Sequence, residues 1–409
     1  MTDSIMLNEE YKIFENEAPE LIDALIDFLG EESVNHSLDQ YKHSKLTAGK
    51  IYYEHYLKFK HPWWEALLQF KKYKESNRLH LKKFDVQLMR LAEDARKIQV
   101  LKKYMPHSVI AKYKSDLLDK DNAINYLFEL STAWHFYRKG FTLQWQEDTG
   151  LKKSEFNLTL DGKELEVECK RIGVDAFRKI KRPDFYRLCD YLIPNLKNLK
   201  ITGEIILLLE NDLPRNDDKL RSFSNSILLL IENNNLNGEY EFEGYSVRLR
   251  LNPVSGILLD AKAYMKHFYE TVDPTAHGFL FLHGIKENRS DPVSFIIKSR
   301  NSDNIIHGIQ KKIKTTVKKQ LSGMKSGFVS IFIPEIVDFS GLEKNSGLSK
   351  IAQNIFSDQK YNHLVSISFV SDPRYTPTLF GRITDSPALF FNNANCKYDE
   401  FKNFKFGIN

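Results

Sequence analysis

Residues 154–171, SEFNLTLDGKELEVECKR, set acids and a lysine where they can act together. Two alternating runs flank Asp161-Gly162, a dipeptide that favours a two-residue type I′ hairpin turn because both central residues take positive φ. With that loop, Leu160 pairs with Lys163, and the register runs outward through Thr159 opposite Glu164 and Asn157 opposite Glu166 to Glu155 opposite Glu168. The other face pairs Phe156 with Val167 and Leu158 with Leu165. Directly opposite side chains lie about 4.5–5.5 Å apart at Cβ, and like charges there repel. Carboxylates stacked in this way call for a cation between them. Lys170 follows Glu168 by two residues and shares its face. The pattern predicts two facing carboxylates and one ammonium, on a sheet backed by apolar side chains.

The elements that must position this hairpin are legible around it. A helix is expected over 122–139, ended by Gly140. A strand follows over 141–147, with Phe141, Leu143 and Trp145 alternating against Thr142, Gln144 and Gln146. Upstream, residues 1 to about 118 read as helical. Leu21, Leu25, Phe28 and Leu29 form one stripe, and a longer helix near 78–104 carries Leu81, Phe84, Leu88, Leu91, Ala95 and Ile98 at spacings of three and four. That seam fits a helix packed in a bundle or a dimerising surface. Lys82, Lys83, Arg90, Arg96, Lys97, Lys102 and Lys103 are expected on its solvated faces.

Downstream, a helix within 175–199 is expected to be interrupted near Pro183. A buried strand over 204–210, a helix over 222–233 and one or two strands within 239–251 follow. Further strands are expected at 278–283, 294–298, 328–333 and 364–370. A helix near 305–322 places Ile306, Ile309, Ile313, Val317 and Leu321 inside, and Lys311, Lys312, Lys314, Lys318 and Lys319 outside. Residues 385–409 are aromatic and polar without usable periodicity. The fold class is α/β.

Composition narrows the function classes. The 409 residues carry a net charge of +5, a mild lean toward polyanionic partners. The three cysteines, Cys169, Cys189 and Cys396, are too far apart for a disulfide framework or a thiolate zinc site. The acidic N-terminal segment lacks the apolar stretch of a signal peptide, and no run approaches the ~18–20 apolar residues of a membrane span. A cytoplasmic protein without a membrane partner is expected. No G-x-x-x-x-G-K-[ST] loop, G-x-S-x-G elbow or H-E-x-x-H pair occurs. His107, His135 and His307 stand singly, and Trp63 and Trp64 read as core anchors.

The helix–strand–hairpin order, with acids at these places, resembles the PD-(D/E)XK nuclease superfamily over about residues 122–171. In that family a helix supplies one acid, the second strand another within a small-Asp-Phe pattern, and the third strand an E-x-K motif. Here the helix offers Glu129 in NAINYLFELSTAWHFYRKG, the second strand Glu155 in SEF, and the third Glu168-Cys169-Lys170. Glu155 stands where the family usually has aspartate. The resemblance implies a restriction-endonuclease-like mixed β-sheet core flanked by helices, spanning 119–384 with insertions, after an all-helical N-terminal domain over 1–118 and before a tail over 385–409.

The resemblance also implies a Mg2+-dependent (or Mn2+-dependent) endonuclease. Glu155, Glu168, Glu129 and the carbonyl of Cys169 would be metal ligands, since hard oxygen donors suit these ions. Lys170 would orient or deprotonate the attacking water, with Asn157 and Glu166 tuning the site from the same face. Nucleic-acid contacts are expected from Arg171, Arg178, Lys179, Lys311, Lys318 and Gln320. DNA is expected before RNA, in a restriction or anti-phage defence role, with a homodimer for double-strand cleavage and a separate ATPase or defence protein as partner. The alternatives are a catalytically silent nuclease fold that binds nucleic acid or acts as a scaffold, a helical interaction protein, and a solvated edge hairpin whose charges only deter aggregation.

Overall fold

Asp161 and Gly162 take φ of 51° and 75°, the left-handed pair that a type I′ turn requires. The hairpin that they close has the expected register, from Leu160–Lys163 out to Phe156–Val167. The structure is a computed structural model. It describes residues 16–76, 85–146, 154–233, 236–253, 259–260, 268, 276–286, 289–301, 303–334, 339–343, 347–372, 374–378, 381–385 and 387–407.

In chain order the helices α1 (Ala18–Leu29), α2 (Glu31–Thr47), α3 (Lys50–His55), α4 (Trp64–Glu75), α5 (Val86–Leu101), α6 (His107–Asp116) and α7 (Ala123–Arg138) come first. Strands β1 (Thr142–Trp145), β2 (Phe156–Leu160) and β3 (Lys163–Arg171) follow. Then come α8 (Arg182–Asn198), β4 (Ile201–Leu209), α9 (Asp217–Glu232), β5 (Asn237–Phe242), β6 (Tyr245–Pro253), β7 (Leu259–Asp260), β8 (His277–Lys286) and β9 (Arg289–Ser299). The chain closes with α10 (Ile305–Gln320), β10 (Ser326–Phe332), α11 (Ser340–Glu343), α12 (Gly347–Phe356), β11 (Leu364–Val370), β12 (Arg374–Thr378), β13 (Gly381–Asp385) and β14 (Ala388–Asn392). Among the described residues no helix is long and apolar enough to cross a membrane.

Contacts divide the chain into two units. The first combines Met1–Ser44, Lys60–Gly173 and Ile306–Asn409. Its sheet runs β1-β2-β3-β10-β11-β14. The first three strands form an antiparallel meander, β10 and β11 lie parallel to β3, and β14 returns antiparallel to β11. Strand β3 is therefore internal to the sheet, paired with β2 over Lys163–Val167 and with β10 over Leu165–Arg171. Helix α7 packs on β3 and β1. Its Phe128 stacks on Phe332, and its Phe136 meets Phe141, Phe328 and Phe406 with centroids 5.1–6.3 Å apart. Such aromatic pairs add to the burial of large apolar area. Gly140, at φ 86°, ends α7 in the left-handed conformation. Serines inside the sheet are satisfied locally, as in the 2.9 Å Ser330–Ser368 hydroxyl pair.

The second unit combines Lys45–Phe59 with Val174–Ile305, so in sequence most of it lies between β3 and α10. Its sheet runs β5-β6-β4-β9-β7, with β8 also on β9. Helices α8 and α9 contribute Leu188, Leu192, Leu196, Ile227 and Ile231 to its core. The Asp190 carboxylate accepts the backbone N–H groups of Ile51 and Tyr52 and so holds the start of α3 against α8.

Several expectations are revised. Pro183 begins α8 rather than interrupting it, and Pro194 lies inside that helix instead. In α5, Leu88, Leu91, Ala95 and Ile98 are buried as expected, but they pack within the first unit against α1, α4 and α7, not as a dimerising surface. Leu81 and Phe84, with Lys82 and Lys83, lie outside the described residues. Lys97 is buried rather than solvated, because Asp94 and Glu93 pair with its ammonium at 3.2 and 3.4 Å. Ile306 is exposed, while Ile309, Ile313 and Val317 fill the inner face of α10. The division by contacts crosses the expected boundaries at 118 and 384, since residues 45–59 join the second unit and 306–409 the first. Residues 387–407 are part of the packed first unit. They supply β14 to the sheet, and Phe401 and Phe406 are buried at 2% and 1% exposure.

Phe406 lies 5.1 Å from Phe328 and 5.0 Å from Phe404, and its carbonyl lies 2.8 Å from His135 Nε2. Phe406→Ala should cost roughly 3–5 kcal/mol, the range for emptying a buried aromatic site. Urea unfolding checks this. A loss under about 1 kcal/mol would mean that the C-terminal segment does not brace the sheet.

Candidate active site

The β2–β3 ladder ends at Phe156–Val167, and Glu155 is the residue just before it. The Glu155 carbonyl accepts the Gln146 N–H at 3.1 Å, which ties this end of the hairpin to the strand before it. On β3 the residues 164, 166, 168 and 170 share one face. Lys170 Nζ stands 2.7 Å from Glu168 Oε1 and 3.6 Å from Glu155 Oε1. The cation that the stacked acids call for is thus supplied, in part, by the chain itself.

Glu168 is 1% exposed. Its cross-strand neighbour on β10 is Val329, and Ile331 is next to Lys170, so water is excluded on that side. The Lys170 ammonium and the backbone N–H of Glu155 both act on the Glu168 carboxylate, but among the described residues neither makes a well-formed hydrogen bond to it. An unsatisfied buried carboxylate is costly, and proton uptake is one way to relieve it. Burial first, and the Glu155 charge second, push the Glu168 carboxyl up to about 8. Burial would lower Lys170, but the Glu168 and Glu155 charges outweigh it and hold the ammonium above the usual lysine range.

Glu129 comes from α7 and is buried. Burial, then the Glu155 charge, raise its carboxyl well above the ordinary glutamate value, while Lys170 and Glu168 also act on it. Tyr113 of α6 donates its hydroxyl to Glu129 Oε2 at 2.7 Å, and Trp145 of β1 donates Nε1–H to that hydroxyl at 3.2 Å. This relay fixes the Glu129 rotamer from two other elements. Sequence reading missed Tyr113, because no spacing rule links a tyrosine on α6 to a glutamate on α7.

The remaining expected residues are distributed differently. Cys169 lies between Glu168 and Lys170, and burial pushes its thiol far above its ordinary range. Glu166 is buried rather than solvated, because its Oε2 accepts the Ser322 N–H at 2.9 Å. Asn157 Oδ1 lies 3.4 Å from the Ser154 hydroxyl. Arg171 ends β3, half-buried. Lys311 and Lys318 are exposed on α10 and Gln320 is half-buried at its end. Arg178 and Lys179 belong to the second unit, where the Lys179 N–H donates to Asp303.

The donor set is all oxygen, and the buried Glu168 carboxylate has the Lys170 ammonium as its cationic partner, which fits a hard divalent cation. Among the described residues, however, no three His, Cys, Asp or Glu side chains converge as a ready ligand cluster.

A glutamate that keeps its proton to about 8 when folded, against 4.5 when exposed, makes the folded state bind more protons between those values. Stability therefore falls as pH rises through that window, by at most about 1.4 kcal/mol per pH unit for one group. Glu168→Gln should flatten this slope relative to wild type in urea unfolding across the window. Equal slopes would show that Glu168 ionises normally. Comparison with protein-family models, curated proteins and solved structures finds no match to this chain.

Proposed function

We propose that this chain is a divalent-metal-dependent endonuclease of the PD-(D/E)XK kind, with a restriction-endonuclease-like core, that hydrolyses phosphodiester bonds of DNA. The observation that carries this reading is the meeting of Glu155, Glu168 and Lys170 at one end of the β2–β3 hairpin. Glu129 on the preceding helix, and the order helix, strand, hairpin, agree with it. A restriction or anti-phage defence role inside the cell, a homodimer for double-strand cuts and a separate ATPase or defence protein as partner belong to the same proposal.

Phosphodiester hydrolysis needs a neutralised phosphate and a positioned, acidified water. Glu155 and Glu168, with the carbonyl of Cys169 and with Glu129 behind them, would hold Mg2+ or Mn2+. When bound, that ion supplies charge neutralisation at the phosphate and lowers the pKa of the attacking water. Lys170 serves as a fixed cation rather than as a base, because its two carboxylate neighbours keep it protonated. Its ammonium orients the water and meets the negative charge that grows on the phosphate. Tyr113 holds Glu129 against rotation, so the inner wall of the site is fixed before substrate arrives. The exposed Lys311, Lys312, Lys318 and Lys319 of α10, without acidic partners among the described residues, favour a polyanionic substrate.

One observation favours a second reading. Lys170 Nζ already bridges both carboxylates, as a structural ion pair in a silent nuclease fold would. Cleavage assays on plasmid and linear DNA, with single-stranded RNA beside them, separate the two. With Mg2+ or Mn2+, wild type should cut DNA, and Lys170→Ala and Glu168→Ala should each lose about 100-fold or more in rate. DNA bound but left uncut by wild type would establish the silent fold. Equal cutting by the variants would remove these residues from the chemistry.

A further inference from the structure

The turn after α10 is anchored from two directions. Toward β3, the Ser322 N–H donates to Glu166 at 2.9 Å and Lys325 pairs with Glu164. Toward the C-terminal segment, the Gly323 carbonyl accepts Lys397 Nζ at 2.9 Å and the Tyr398 hydroxyl at 3.1 Å. Within the turn, the Met324 N–H donates to the Ser322 hydroxyl at 3.1 Å, and Gly323 takes φ 75°, which other residues adopt only with strain. These contacts hold the backbone and leave the Met324 side chain outside. It is 77% exposed. A large apolar side chain displayed in water by so fixed a turn contributes nothing to the core.

Its place is set by β3. Glu164, Glu166, Glu168 and Lys170 follow one another on one face at about 3.3 Å per residue. Contacts with Glu164 and Glu166 therefore put the turn two to four residues along β3 from Glu168, roughly 7–13 Å. Successive phosphates on one DNA strand are about 3.4 Å apart along the helix axis. Beside the turn, Lys318 and Lys319 close α10, exposed and without acidic partners among the described residues. An apolar tip flanked by exposed ammonium groups complements a double helix, with phosphates outside and stacked bases within.

We infer that Met324 is a wedge that enters the base stack of duplex DNA about two to four nucleotides from the phosphate held at Glu155, Glu168 and Lys170, while Lys318 and Lys319 meet the flanking phosphates. The inference rests on the nuclease reading of that site. An inserted apolar side chain unstacks a base step and bends the duplex, which presents the backbone to the carboxylates. The unbranched thioether adapts to steps of differing sequence.

The test uses a short duplex carrying 2-aminopurine, whose fluorescence rises when it unstacks, with full-length protein in a Glu168→Gln background to withhold cleavage. Binding should raise the fluorescence severalfold. Met324→Ala should abolish the rise, and Met324→Leu should keep it. In the otherwise wild-type protein, Met324→Ala should lower kcat/KM about tenfold or more, the scale of one lost base-stacking contact, without moving the thermal unfolding midpoint. If wild type cuts DNA and Met324→Ala keeps both the fluorescence rise and the rate, the wedge is overturned and the nuclease reading stands. If wild type leaves DNA uncut, the nuclease reading falls and the wedge falls with it.

Discussion

The first unit is organised around a carboxylate that has been taken out of water. Glu168 lies on an internal strand of its sheet, 1% exposed, with Lys170 2.7 Å away and the same ammonium 3.6 Å from Glu155. One ammonium shared by two acids, with a third acid close enough to act on them, leaves the cluster short of positive charge. Glu168 and Glu129 relieve that shortage by holding their protons far longer than free glutamates do. A divalent cation would relieve it more fully, and this imbalance is the physical basis of the proposed chemistry.

The surrounding elements keep the imbalance in place. Pairing with β2 at one end and with β10 through Glu168 and Lys170 holds the register of β3. Aromatic packing under α7 fixes the helix that carries Glu129, and the Trp145–Tyr113–Glu129 relay fixes its side chain. Farther along the same strand, Glu166 and Glu164 are spent on anchoring the turn after α10. A single strand thus carries acids with two kinds of work. Those at 164 and 166 hold lysine and backbone, and the one at 168 shares a single ammonium with Glu155.

The sequence made the hairpin readable because its information is local. Asp161-Gly162 dictates the turn, the turn dictates the register, and a period of two then assigns every side chain to a face. Glu155, Glu168 and Lys170 follow from that alone. Glu129 was legible as a position on a helix, but the tyrosine that holds it was not, because the α6–α7 packing depends on tertiary contact. The neighbour relation of β3 and β10 was hidden for the same reason, since much of the second unit separates them in sequence. Lys97, expected among the solvated charges, is buried because Glu93 and Asp94 stand at the helical spacings that bring partners to it. The C-terminal aromatics had no period to read, because their order comes from packing on Phe136, Phe141 and Phe328 rather than from a long regular element.

The central claim is that Glu155 and Glu168 form the seat of a divalent cation. Anomalous diffraction from crystals soaked in Mn2+ tests it most directly. An anomalous peak is expected in contact with both carboxylates, at about 2.0–2.2 Å from their oxygens, and it should disappear in the Glu168→Gln protein. A wild-type crystal with no peak there, and with Lys170 still bridging the two acids, would contradict it.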